Sequence, residues 1–89
     1  MSKKFSAGQT VMTRGAEAAL PRQEILVALG RHLAGDWGNA CSEDVAQNEW
    51  ALLNQARLIS NFEASDGTAF WIITEADRSS TTVLLPEEY

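Results

Sequence analysis

The chain has little of several things, and each scarcity excludes a class of protein. It holds one cysteine, Cys41, so an intrachain disulfide cannot form and a disulfide-stapled secreted fold is ruled out. No apolar run approaches the roughly 20 residues of a membrane span, and none behind the lysines of Met1 to Gly8 is long enough for a secretory signal. A cytoplasmic protein without a membrane segment is expected. Basic residues are few as well: seven, dispersed along the chain, against 12 acidic ones, for a net charge of −5. Phosphate neutralisation supplies most of the affinity for nucleic acid, so the lack of a basic stripe argues against direct DNA or RNA contact. The one histidine, His32, leaves no tetrahedral set of zinc ligands, and no glycine-rich loop of the nucleotide-binding kind is present. Neither a metal nor a cofactor is expected.

The residues present suit a folded chain: 45% are hydrophobic and 21% charged over 89 positions, enough for one core and too few for two. A flexible tail over 1–8 and one α+β domain over 9–89 follow. Gln9 to Thr13 reads as a short edge strand, and Ala16 to Leu20 as one helical turn before Pro21. From Pro21 to about Ala34, Ile25, Leu26, Leu29 and Leu33 fall at helical spacing. Gly35-Asp36-Trp37-Gly38 stops that helix, and a second starts at Ser42, an N-cap residue type, and runs to about Gln55. Beyond Arg57 the period becomes two, with strands near Leu58–Phe62, Ala69–Glu75 and Thr81–Leu85.

The expected fold is therefore two main helices on a three-stranded antiparallel sheet, with a fourth short strand from Gln9–Thr13. A two-residue loop at Asp66-Gly67 would pair Phe62 with Trp71 and Ser60 with Ile73. Pairing Trp71 with Leu85 and Ile73 with Val83 would then set Phe62, Trp71, Ile73, Val83 and Leu85 under the helices, with Trp71 buried at the centre. Phe70, Ile72, Ile59 and Leu84 would line a second apolar face, suited to an unidentified protein partner or to a homodimer. The alternative for that face is cover from the segment between Phe5 and Leu20.

Three stretches carry a resemblance: GQTVMTRGAEAAL (Gly8–Leu20), RHLAGDWGN (Arg31–Asn39) and WIITEADRSSTTVLLPEEY (Trp71–Tyr89). Over about residues 5 to 89 the chain resembles a family of small bacterial "plasmid-related" proteins found on plasmids and other mobile DNA. Some members are labelled type I restriction modification subunits, although 89 residues are too few for a methyltransferase domain. The resemblance implies an accessory role on mobile DNA and brings no catalytic residue or cofactor with it. The family pattern has glycine where this chain has Gln55.

Two clusters are candidate functional sites. His32 and Asp36, four apart beside Trp37, could share a metal or a proton. The structural alternative has His32 meeting the helix dipole, Asp36 bonding its own turn and Trp37 packing on the core. Glu75 and Asp77 leave a strand on one side with Arg78 next to them, an arrangement able to hold a divalent cation; the alternative is a polar turn with a local ion pair. Cys41 has no activating base beside it, and the hydroxyls from Ser79 to Thr82 lack a histidine partner in sequence. These features favour a non-catalytic accessory or interaction protein. The competing classes are an acidic inhibitor of a nucleic-acid enzyme, imitating a phosphate backbone, and a small metal-dependent hydrolase using Asp36, Glu75 or Asp77.

Overall fold

The computed structural model describes residues 3–89. Strand β1 (Gln9–Met12) leads into helices α1 (Arg14–Ala19), α2 (Arg22–Leu33) and α3 (Ser42–Asn54), followed by strands β2 (Leu58–Glu63), β3 (Ala69–Thr74) and β4 (Ser80–Leu84) and a 3₁₀ turn over Pro86–Glu88. The four strands form one sheet in the order β1-β4-β3-β2. The pairs β2–β3 and β3–β4 are antiparallel hairpins, as expected, whereas β1 joins β4 in parallel. Parallel neighbours need a long crossover, and everything from α1 to β3 lies between these two.

Local chemistry sets the helix ends. Thr13 caps α1, its hydroxyl accepting from the Ala16 N–H at 3.1 Å, while the Glu88 carboxylate accepts the Gly15 N–H at 3.2 Å and the Thr13 hydroxyl at 2.5 Å. The last turn of the chain is thereby tied to the first helix. At α3 the expected cap, Ser42, is already the first helical residue, and Cys41 takes the cap position without a side-chain bond. Gln55 ends α3 in the left-handed conformation, φ 51°, which glycine adopts at much lower cost.

Both hairpins depart from the expected register by one residue. The first loop closes with the Ala64 N–H donating to the Thr68 carbonyl at 2.8 Å, leaving three residues, Ser65, Asp66 and Gly67, in the turn. Gly67 has φ 91°, the left-handed step of a three-residue hairpin loop. Phe62 consequently faces Phe70, and Ser60 faces Ile72. The second loop holds the four residues Ala76 to Ser79, closed by the Glu75 N–H on Ser80 O at 3.0 Å, so that Trp71 faces Leu84 and Ile73 faces Thr82. A one-residue slip sends every side chain of a strand to the opposite face. The face under α1 and α2 therefore carries Phe62, Phe70, Ile72 and Val83, packed with Ala16, Leu20, Ile25 and Ala28.

This register corrects the expected second face. Phe70 and Ile72 are buried in the chain's own core, against the N-terminal segment through Ala16 and Leu20. The opposite face carries Ile59, Trp71, Ile73 and Leu84. Trp71 is half-buried there rather than central, edge-to-face with Tyr89 at 5.4 Å between centroids. A second apolar cluster of Trp37, Ala51 and Leu58 lies beneath α3, with Phe5 packed against it. Of the segment expected as a flexible tail, Met1 and Ser2 lie outside the described residues. The rest makes defined contacts: the Lys4 N–H bonds the Leu33 carbonyl at 2.8 Å, and the Phe5 ring meets those of His32 and Trp37 at 5.3 and 6.3 Å.

Candidate interaction surface

His32 enters the interior from the end of α2 and is fully buried, away from the helix-dipole position that its sequence place suggests. Its Nδ1 lies 2.5 Å from the Ser60 hydroxyl and its Nε2 2.9 Å from that of Thr74. Thr74 in turn meets Thr81 at 2.8 Å, and Thr81 donates to the carbonyl of Ala7 at 2.7 Å. The carbonyl can only accept, which fixes the direction of the chain back to Nε2. With its proton on Ala7, Thr81 accepts from Thr74; Thr74 then accepts from Nε2–H, and in the neutral ring Nδ1 accepts from Ser60. The imidazole is held neutral. Burial, and next the positive charge of Arg78, push its pKa down to about 4.

Its sequence neighbours do not join it as ligands or proton partners. Asp36 points out to the Arg31 guanidinium at 2.8 Å and accepts the Gly38 N–H at 3.0 Å, and these bonds hold its carboxyl below the usual range. Trp37 is buried, its indole N–H donating to Glu49 at 2.8 Å. Gly38 has φ 67° and lies so close to β2 that a Cβ there would collide with the Asn61 carbonyl.

The second cluster also disperses. Glu75 pairs with Arg57 at 3.1 Å, and Asp77 accepts the Ser79 N–H at 3.0 Å within its own turn. The ion pair expected beside Asp77 is absent from Arg78, whose guanidinium bonds backbone carbonyls instead: Ala56 at 2.6 Å and Ala51 at 3.0 Å. A cation there bonds carbonyls at the end of α3 and suits its dipole. Among the described residues no three His, Cys, Asp or Glu side chains converge as a metal site. The six sequence candidates thus divide: buried His32 and Trp37 and half-buried Arg78 pack around the half-buried Phe5 ring, while Asp36, Glu75 and Asp77 stand apart at the surface. The partners missed in sequence, Ser60, Thr74 and Thr81, had one signal, that of polar residues at inward positions of apolar strands.

Apolar side chains stand at the surface on α2, where Leu26 and Val27 are exposed, and on the outer side of α3. Its inner side places Asn48, Ala51 and Leu52 against β2 and Trp37. At helical spacing the opposite side presents Glu43, Ala46, Trp50 and Leu53, with Trp50 53% and Leu53 86% exposed. The helix carries Glu43, Asp44 and Glu49 and no basic residue. Comparison of the chain with known protein families, curated proteins and solved structures gives no match.

Proposed function

We infer that the protein is a non-catalytic accessory protein that acts by docking on another protein, in the mobile-DNA setting that its resemblance implies. The observation that carries this reading is the outward pair Trp50 and Leu53 on α3. Tryptophan concentrates binding energy at interfaces because it buries a large apolar area at little conformational cost. An apolar helix stripe is read by a partner groove through residues three and four apart. The carboxylates of Glu43 and Glu49 alongside, with no cation on the helix, select a groove with a lysine- or arginine-bearing rim. Such rims include those of nucleic-acid enzymes, so the same surface also serves the inhibitor reading. The hydrolase reading lacks this support, since Asp36, Glu75 and Asp77 each hold a separate partner.

The test is affinity capture from the native host with the wild-type chain and with a Trp50→Ala, Leu53→Ser double variant of unchanged urea midpoint. One stoichiometric protein, retained by the wild type, lost by the variant and weakened at 0.5 M salt (roughly a threefold drop in Debye length from 0.05 M), supports the proposal. Identical captured sets for both chains would defeat it.

A further inference from the structure

The two edges of the sheet are finished differently. Along β2, the Asn48 side chain binds both backbone groups of Ile59, at 2.8 and 3.1 Å. The backbone of Asn61 is taken up by residues 37–39, its N–H by the Trp37 carbonyl at 3.2 Å and its carbonyl by the Asn39 N–H at 2.6 Å. Along β1 the Gln9 and Thr13 N–H groups reach back to Ser79 and Val83, each at 3.0 Å. Alternate residues of a strand face the same neighbour, so the N–H and C=O of Thr10 and Met12 point outward. No described residue pairs with them, since β1 ends the sheet. Natural edges are blunted by charge, proline or a bulge. The QTVM of β1 has no charge or proline, and all four residues are exposed.

We propose that this edge is a self-association site, at which two copies of β1 pair antiparallel about a two-fold axis at Val11 and join their sheets into one. The outward groups dictate the register. Thr10 and Met12 exchange bonds with Met12 and Thr10 of the second copy, and Val11 faces its own copy in a non-hydrogen-bonded pair. An axis at Thr10 would recruit Gly8, whose φ of 61° leaves the strand conformation. An axis at Met12 would recruit Arg14, which is already helical.

A second copy suits this edge better than a foreign strand for two reasons. The strand is uncharged and complementary to itself in this register. On the helix side of Met12 a cleft of about 270 Å³ is walled by Met12, Leu20 and Ile25, with Glu17 and Arg22 alongside. Neither of these charges takes part in an ion pair among the described residues, so each copy brings one free acid and one free base to the boundary. Four backbone bonds and these side chains make a small interface, so the dimer is weak, with dissociation above about 1 μM.

Sedimentation equilibrium up to about 1 mM, where a dimer of that strength is populated, provides the test. The wild type should approach twice its 9.7 kDa. Val11→Lys and Val11→Glu, at a side chain 40% exposed, should each remain monomeric and folded, and their equimolar mixture should regain the doubled mass. Val11→Cys in a Cys41→Ser background should cross-link under mild oxidation, because non-hydrogen-bonded Cα atoms lie about 4.5 Å apart, within disulfide reach. A wild type that stays at 9.7 kDa overturns the proposal and leaves the edge to a strand of another protein. A dimer indifferent to both charged variants overturns it too, by placing the contact on another face.

Discussion

Lowering the pH from 7 to 5 should destabilise the fold chiefly through His32. The imidazole is buried and neutral, with its pKa down at about 4, against roughly 6.5 in an unfolded chain. Between these values the unfolded chain binds a proton that the folded chain refuses, so stability rises with pH across this window. It is fully present above about 6.5 and is lost as pH falls toward 4. The 2.5-unit difference corresponds to about 3 kcal/mol in all, of which about 2 kcal/mol falls between pH 7 and 5. That is a large share of the roughly 4 to 13 kcal/mol expected of a domain this size. The carboxyls of Asp36, Asp66, Asp77 and Glu88 are likewise held low; the stability they add is present above the unfolded carboxyl range of roughly 4 and is lost only as pH falls below it, under most of the His32 window. Urea melts at pH 7, 6 and 5, for the wild type and for His32→Gln, would separate the two contributions. The wild type should lose its 2 kcal/mol or so and the variant should be nearly flat. Because the chain has one histidine, its ring-proton shifts can be followed without assignment, and a folded-state pKa of 6 or more would refute the reasoning.

Three further outcomes follow from the packing. Asn48→Ala strips Ile59 of both side-chain bonds and should cost about 1 to 3 kcal/mol, with faster hydrogen exchange at the Ile59 amide than at Ile72; unchanged exchange would mean that the edge is closed by something else. Gln55→Gly relieves a left-handed residue at φ 51° and should stabilise the fold by about 1 kcal/mol, visible as a raised Tm. Trp37→Ala, at a buried site, should cost about 3 to 5 kcal/mol, whereas Trp71→Ala, half-exposed against Tyr89, should cost less than half as much; the reverse order in urea melts would contradict the observed register.

Local and periodic features were legible in the sequence. The Ile25, Leu29 and Leu33 spacing located α2, the acids after Ser42 located the start of α3, and Asp66-Gly67 located the hairpin. Loop length was not legible, because Gly67 is as suitable in a two-residue turn as at the left-handed position of a three-residue loop. The site suffered from distance: the partners of His32 lie 28 and 42 residues away in the chain, and no local pattern joins them. The parallel pairing of β1 is equally remote, since its register depends on where β4 ends up after two hairpins. Trp37 at the core and Asp36 bonding its own turn, both local matters, were read from neighbouring residues.

The buried polar chain explains how the ambiguous hairpin is resolved. Ser60 sits between Leu58 of one apolar cluster and Phe62 of the other, so the two cores meet at a polar seam that His32 fills from α2. In the observed register Thr74 points inward to accept from Nε2–H, and Thr81, opposite it, completes the path to Ala7. The two-residue alternative would turn β3 over relative to β2. Phe70, Ile72 and Thr74 would leave the helix face, Trp71, Ile73 and Glu75 would replace them, and the imidazole N–H would lose its acceptor while a carboxylate entered the interior. An unpaired buried donor costs about 1 to 3 kcal/mol and a buried carboxylate more. Apolar packing alone discriminates less, because β3 offers Phe70 and Ile72 on one side and Trp71 and Ile73 on the other. The hydroxyls of Ser60, Thr74 and Thr81 therefore contribute mainly by excluding the competing register, a role that their modest net hydrogen-bond energies would not reveal.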